Sequence, residues 1–163
     1  MRTLIIYFSK TGNSQQVARR MAERLSADLQ EILCDQYLGS AGDLWAGFDN
    51  IIGRTPKLAP INDLNEYDRI IIGGPIWLGR PSAPIRAAAE QYAKGRVDCG
   101  IFVCGMGPED LDSAAKQLAA LFDHKPAAVF KTHGSMLGSA EFENELDRFC
   151  GEFTNQLETT KHA

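Results

Sequence analysis

Short apolar runs alternate with stretches of helical periodicity along this chain of 163 residues. The apolar runs predict strands at residues 4–8, 29–33, 70–74, 100–104 and 127–130. Apolar residues recurring at helical spacing predict helices at residues 13–25, 39–53, 84–92, 111–121 and 139–157, and residues 54–66 are expected to form a loop. Strands that alternate with helices are typical of βα units around a parallel sheet. The pattern therefore predicts an α/β fold in one domain spanning residues 1–163.

The second predicted strand differs from the others because Leu29, Glu31 and Leu33 alternate with polar neighbours. A parallel strand buried on both faces is continuously apolar, whereas an edge strand alternates. We therefore expect the second strand at an edge of the sheet. Right-handed crossovers then favour a doubly wound, five-stranded parallel sheet with the order 2-1-3-4-5 and helices on both faces.

Composition and charge argue against several classes of protein. The formal net charge of −4 disfavours a nucleic-acid partner and an anionic membrane surface. No apolar run approaches the ~18 residues that a membrane span needs. The four cysteines form no Cys-x-x-Cys pair and are few for a secreted scaffold, so we expect buried, reduced thiols and a cytoplasmic location. The histidines show no metal-ligand spacing, so no metal site is expected.

The expected strand order locates a candidate ligand site. In open sheets of this kind, ligands bind beyond the carboxyl ends of the strands, where the strand order reverses. Residues 9–14, 75–80 and 105–110 form the loops at that point. The first loop combines the hydroxyls of Ser9, Thr11 and Ser14 with Gly12 directly before a helix, and the free N–H groups of a helix N-terminus attract anions. This loop is suited to a phosphate monoester.

The second and third loops are suited to a flat ring. Trp77 follows a central strand and offers a flat apolar face for stacking. Arg80, close behind it, has an open role, with a phosphate, the edge of a ligand or solvent as alternatives. Small residues around Met106 in the third loop would let a planar ligand pack against the backbone, whereas Glu109 and Asp110 are expected to start the next helix.

Several other phosphate-binding and catalytic motifs are excluded. Gly12 is followed by Asn13, not by the Lys-Ser/Thr pair of a Walker A loop. Asp110 stands where a dinucleotide fingerprint needs its third glycine and where a Cys-x5-Arg phosphatase loop needs arginine. Ser9 and Pro75 occupy the places where a receiver domain carries acids, and no Gly-x-Ser-x-Gly elbow occurs in the sequence.

Two segments together carry a resemblance to a known family. They are residues 7–14, YFSKTGNS, and residues 67–77, YDRIIIGGPIW, and the helix start PSAPIR at residues 81–86 also fits. On these motifs the chain resembles the flavodoxin family of FMN-binding proteins across essentially its whole length. The resemblance implies a flavodoxin-like fold, noncovalently bound FMN and a part in electron transfer.

The same resemblance implies which residues bind FMN. The phosphate would be held by the first loop, with Ser9, Lys10, Thr11, Gly12, Asn13 and Ser14. The isoalloxazine would pack on Trp77 and be lined by Pro75, Ile76, Leu78 and Gly79. The opposite side would be formed by Gly105, Met106 and Gly107.

This chain departs from the family pattern around the expected flavin. Met106 stands where an aromatic residue often covers the second face of the ring, and Leu78 follows Trp77 where the family often has glycine. A leucine forced to positive φ there would be strained by roughly 1–2 kcal/mol, unless Gly79 takes that place. Because this strain and Arg80 both disfavour one-electron chemistry, we expect a larger share of two-electron transfer than in a dedicated carrier.

Three functions remain open from the sequence. The first is an FMN-binding electron carrier that docks to a redox partner protein. The alternative is an FMN-dependent NAD(P)H:quinone-type reductase that passes electrons to a small-molecule acceptor. A third is a module that uses the crevice for protein contacts alone. The sequence predicts neither the oligomeric state nor the reduction potential.

Overall fold

The computed structural model of the chain describes residues 1–34, 53, 55–61, 63–96 and 98–160, with side chains described up to residue 155. The helix predicted at residues 39–53 therefore lies outside the described residues, apart from Gly53. The expected loop at residues 54–66 is described in part and ends in a short 3-10 helix, Leu64–Glu66. Asp63 starts this turn, because its carboxylate accepts a hydrogen bond from the N–H of Asn65 at 2.9 Å.

Six strands are described. They are β1 (Thr3–Tyr7), β2 (Asp28–Glu31), β3 (Arg69–Trp77), β4 (Arg80–Pro81), β5 (Cys99–Gly105) and β6 (Ala128–His133). Five of them are parallel, in the order β2-β1-β3-β5-β6. This confirms the predicted order, with β4 as an addition that the sequence did not indicate. The two-residue β4 pairs antiparallel with the end of β3.

Two strands run further than predicted. Pro75 was expected in a loop, but it lies in β3 opposite Cys104 of β5, and β3 continues to Trp77. The predicted boundaries of the second loop are therefore wrong, because pairing with β5 and then with β4 extends the strand. Gly105 similarly lies in β5 opposite His133, at the end of the longer β6. The second loop thus shortens to the tip between β3 and β4, and the third begins after Gly105.

Four helices are described: α1 (Asn13–Leu25), α2 (Ala83–Tyr92), α3 (Leu111–Ala119) and α4 (Ala140–Thr160). Ser139 was predicted to cap the last helix, and its hydroxyl accepts a hydrogen bond from the N–H of Phe142 at 3.1 Å. Ser82 was predicted to cap α2 and precedes it directly. Its hydroxyl is buried, however, and has no hydrogen-bond partner within the described part of the chain.

The core lies on both faces of the sheet, because neighbouring residues of each central strand point to opposite sides. Ile72 and the other strand residues on the same face of the sheet pack with α2 and α3, through residues such as Ile85 and Leu118. Ile71 packs with α1 and α4, through residues such as Met21. The predicted apolar stripe of α4 is buried in this second cluster at Phe142, Leu146, Phe149 and Phe153. The prediction of helices on both faces is confirmed.

Both edges of the sheet are partly exposed, as an open doubly wound sheet requires. β2 is half-exposed along its length, and β6 alternates between buried and exposed residues. A cluster of surface charges covers the amino-terminal end of β2, where Arg2 bonds Asp28 and Glu66, each at 2.9 Å. Among the residues that the structure describes, no helix is both long enough and apolar enough to cross a membrane.

Candidate functional site

The carboxyl ends of β1, β3 and β5 lie side by side, so the three predicted loops emerge from neighbouring strands. Tyr7 at the end of β1 pairs with Gly73 of β3, and Pro75 of β3 pairs with Cys104 of β5. A Cβ placed on Gly74 would lie 2.8 Å from the carbonyl oxygen of Phe8. Because no side chain stands at Gly74, the first loop leaves the sheet directly against β3.

The first loop is shaped by bonds within itself. Gly12 precedes α1 with φ +91°, a left-handed conformation that suits glycine, and its N–H donates to the Ser9 hydroxyl at 3.2 Å. The carbonyl of Gly12 accepts the N–H of Gln16 at 2.9 Å, which begins the helix. Lys10 and Thr11 are exposed at the top of this turn. The loop therefore presents the first N–H groups of α1, which have no carbonyl partner within the helix.

Ser14 occupies a different position from the other two hydroxyls of the loop. It is buried beneath the first turn of α1, and its hydroxyl bonds the thiol of Cys104. Burial raises the pKa of Cys104 to about 11, and the Ser14 hydrogen bond offsets a part of that rise. Thr132 lies beside Cys104 in the sheet register, fully buried, and its hydroxyl has no partner among the described residues.

All four cysteines are buried with free thiols, as the sequence analysis expected. Burial raises the pKa of Cys99 to about 12 and that of Cys150 to about 11. A thiol with a pKa this high is protonated at neutral pH and is a poor nucleophile. The cysteines are therefore packing residues of the two cores.

The second loop is a tight two-residue turn at the tip of a hairpin. Trp77 of β3 pairs with Arg80 of β4, and between them Leu78 has φ +51° and Gly79 φ +74°. Two successive positive φ angles are typical of a type I′ turn, the common two-residue connection in hairpins. The sequence predicts a positive φ at Leu78 or at Gly79, and the structure has a positive φ at both residues.

Trp77 is half-buried and packs edge-on against Phe8, with ring centroids 5.7 Å apart and an interplanar angle of 89°. Phe8 itself is buried directly after β1. The indole therefore stands between the first and second loops. Leu78, by contrast, exposes 69% of its surface beside it.

The third loop is short and mostly exposed. Met106 exposes 93% of its surface, and the Glu109 carboxylate folds back against Gly107. Asp110 precedes α3 with φ +63°, and its carboxylate lies against the second loop, 3.2 Å from the place of a Cβ on Gly79. Asp112, in the first turn of α3, bonds Lys131 at 2.6 Å, which lowers the pKa of that carboxyl.

A fourth loop, which the sequence analysis missed, joins this edge after β6. Its 3-10 helix, Gly134–Met136, brings Gly134 so close to the first loop that a Cβ there would lie 3.0 Å from Asn13 Nδ2. The hydroxyl of Ser135 bonds His133 Nδ1 at 2.8 Å. The sequence did contain a signal for this loop. Ligand-binding loops follow the carboxyl ends of parallel strands, and β6 is parallel to β5 and ends at the same edge of the sheet.

A cleft of about 280 Å³ lies to the side of this arrangement. It is lined by Pro108, Leu111, Asp112, Lys131, Met136, Glu141 and Glu145. These residues come from the third and fourth loops, α3, β6 and α4, on the side of the sheet edge at β6. The cleft therefore adjoins the candidate site without including the first loop or Trp77.

Similarity to known proteins lies in the structure, not in the sequence. No protein-family model matches the chain, and no curated protein matches its sequence. Among solved structures, a putative flavoprotein from Bacteroides uniformis is similar, with a TM-score of 0.71 and 23% identity over 90% of this chain and 96% of that one. A flavoprotein from Lactobacillus acidophilus in complex with FMN has a TM-score of 0.66 and 20% identity over 91% and 97%.

A flavodoxin from Streptococcus pneumonia is also similar, with a TM-score of 0.63 and 14% identity over 96% of this chain and 99% of that one. At these identities the likeness establishes the fold and nothing finer. It agrees with the strand order and with the sequence resemblance of residues 7–14 and 67–77. The chain therefore has the flavodoxin-like fold.

Proposed function

We propose that this chain binds FMN noncovalently at the carboxyl edge of its sheet and takes part in electron transfer. The observation that carries the proposal is the joint position of an anion-binding turn after β1 and a half-buried tryptophan at the end of β3. These strands are neighbours, so one ligand with a phosphate and a planar ring system would meet both. The FMN bound to the Lactobacillus acidophilus flavoprotein, which shares the fold, supports this choice of ligand.

The residues present fit a phosphate monoester. Gly12 adds no side chain to the turn, where a Cβ would find open space, and Thr11 is exposed at its top. A phosphate there would accept hydrogen bonds from the first N–H groups of α1 and from the Thr11 hydroxyl, with the helix dipole adding attraction. Lys10 supplies one nearby positive charge. The roles of Ser9 and Ser14 would be to shape the turn from within.

The residues present also fit a planar ring. The edge-on contact with Phe8 fixes the orientation of the Trp77 indole, so that one face of the indole can stack on an aromatic ligand. Across from it, Gly105 and Gly107 carry no side chains that would fill the space, and Met106 is exposed. The ring would thus lie between Trp77 and the backbone of the third loop.

Bound FMN would supply the redox centre, because the protein's own four thiols are buried. The residues of the site would bind the phosphate, orient the ring and exclude water from one of its faces. The redox partner is then a protein or a small molecule that reaches the remaining ring edge. With its four reduced cysteines, the chain is proposed to work in the cytoplasm.

Reconstitution decides between this proposal and a purely protein-binding crevice. The purified protein would be stripped of any cofactor and titrated with FMN, riboflavin and FAD, with flavin fluorescence and visible absorbance as readouts. We expect tight binding of FMN and much weaker binding of riboflavin, because only FMN places a phosphate in the first loop. Failure of all three flavins to bind would contradict the proposal.

A reductase that accepts electrons from NADH or NADPH is the second candidate. Leu78 and Met106 favour it, because they place strongly exposed apolar side chains in the second and third loops of the site. Such a rim suits an uncharged aromatic acceptor such as a quinone. The FMN-loaded protein alone would then oxidise NADH or NADPH when a quinone is supplied, whereas a carrier would need a separate reductase.

A further inference from the structure

Backbone strain is concentrated in two loops of the candidate site. Among the residues that the structure describes, three non-glycine residues have positive φ: Ser26, Leu78 and Asp110. Ser26 ends α1 in the left-handed conformation common after helices. Leu78 and Asp110 lie in the second and third loops. Such strain persists only where contacts with the surrounding structure hold the backbone in place.

The hairpin that carries the second loop is too short to be stable without contacts to the rest of the protein. β4 has two residues and makes two residue pairs with β3. The base of the hairpin is fastened by two further bonds. The N–H of Ser82 donates to the Pro75 carbonyl, and Arg86 Nη1 donates to the Pro81 carbonyl, each at 3.0 Å. Neither of these two bonds involves the Leu78–Gly79 tip, so a different contact has to hold the tip in place.

That support comes from α3. Gln117 Nε2 donates to the carbonyl of Gly79 at 3.2 Å and to the hydroxyl of Ser113, one helical turn earlier, at 3.2 Å. A side-chain amide has two N–H donors, so one amide serves both acceptors. The Asp110 carboxylate lies against the same glycine. The tip is therefore clamped between the start of α3 and the Gln117 side chain.

We infer that Gln117 is a positioning residue, which holds the Leu78–Gly79 turn on α3 and thereby sets the position of Trp77 and Leu78 in the site. Gln117 is exposed on the surface of α3, so a core-packing role does not account for this contact. The part of the inference that concerns the turn stands on these contacts alone. The part that concerns ligand binding rests on the proposed FMN function.

The test replaces Gln117 by methionine, which keeps the length and helix propensity of the side chain but removes both donors. The matched control is Gln91→Met, because Gln91 is also exposed but lies near the end of α2, away from the loops. In the FMN-free proteins, hydrogen exchange would be followed for peptides covering residues 76–81. Loss of one hydrogen bond should speed exchange there by about two- to tenfold in Gln117→Met and leave it unchanged in Gln91→Met.

In the FMN-loaded proteins, the dissociation constant of FMN and its midpoint potential would be measured for the same variants. We expect Gln117→Met to weaken FMN binding by about two- to tenfold and to shift the potential relative to Gln91→Met. Unchanged exchange, or an unchanged potential, would overturn the inference. If the wild-type protein fails to bind FMN, the proposed function fails, while the exchange measurement still decides whether Gln117 holds the turn.

Discussion

The first and second loops serve the same site but are held in different ways. The first loop is closed by hydrogen bonds within eight residues: the Gly12 N–H donates to the Ser9 hydroxyl, and the Gly12 carbonyl accepts the N–H of Gln16. The second loop places Leu78 in the left-handed conformation, which is unfavourable for leucine. A hydrogen bond from Gln117, 38 residues away, holds the tip of this loop. A locally closed turn is insensitive to distant change, whereas a turn closed by tertiary contacts depends on the helix that supports it.

The largest expected effect concerns the phosphate in the first loop. Thr11→Val combined with Ser14→Ala should weaken FMN binding about ten- to hundredfold, because the Thr11 hydroxyl is the one that reaches the phosphate and a hydrogen bond to a charged group contributes about 1.5–3 kcal/mol. Riboflavin binding should change little, since it has no phosphate. The measurement is a fluorescence titration with both flavins.

The two single variants sharpen this result. The Thr11 hydroxyl is exposed and the Ser14 hydroxyl faces the Cys104 thiol, so we expect Thr11→Val to account for most of the loss. Ser14→Ala should instead raise the pKa of Cys104 further, because the hydrogen bond that lowers it is removed. Equal losses for FMN and riboflavin in the double variant would show that the first loop does not hold the phosphate.

The next prediction concerns whether Trp77, at the second loop, lines the part of the site that binds the ring. Trp77 emission should be strongly quenched when FMN binds and should recover when FMN is removed, because stacked aromatic rings are in direct contact. The measurement needs a Trp45→Phe background, since Trp45 emits as well and lies outside the described residues. Emission from Trp77 that is unchanged by FMN would place the ring elsewhere.

A smaller effect is expected from the glycine of the second loop. Gly79→Ala should destabilise the FMN-free protein by about 1–2 kcal/mol, because it forces a non-glycine residue into the left-handed region. The new methyl group would also lie 3.2 Å from the Asp110 carboxylate. Urea denaturation measures the change.

Gly12→Ala is the matched substitution in the first loop. Gly12 also has positive φ, but a Cβ there meets nothing within 4 Å, so its cost should come from backbone strain alone. Gly79→Ala should therefore cost more than Gly12→Ala. The reverse order would mean that the contact between Gly79 and Asp110 is unimportant to stability.

The smallest expected effect is a gain in stability. Leu78→Gly should stabilise the protein by up to about 1 kcal/mol, because relief of roughly 1–2 kcal/mol of strain outweighs the added freedom of glycine in the unfolded chain. Leu33→Gly is the control, since Leu33 is exposed to 64% and its φ is not positive. Urea denaturation of both variants should show opposite signs. Equal destabilisation would refute the strain at Leu78.

Local sequence rules were sufficient for the framework and for part of the site. The alternation of apolar runs with helical patterns predicted the α/β class, and the alternating second strand predicted its place at the edge. Gly12 and the hydroxyls around it predicted a turn before α1. Each of these inferences depends on residues within a few positions of one another, which is the range over which backbone propensity and side-chain periodicity act.

The tertiary structure decided what depends on contacts between distant residues. Leu78 at φ +51° contradicts the local preference of leucine, so no local rule predicts β4 or the turn that precedes it. Which hydroxyl of the first loop faces outward was also undetermined, because the burial of Ser14 depends on Cys104, 90 residues later in the chain. The sequence by itself thus determined which strands the first three loops follow and the local turn of the first loop. Only tertiary packing decided the burial of Ser14 and the conformation of the second loop, because the energy of a strained turn is balanced by partners far away in the sequence.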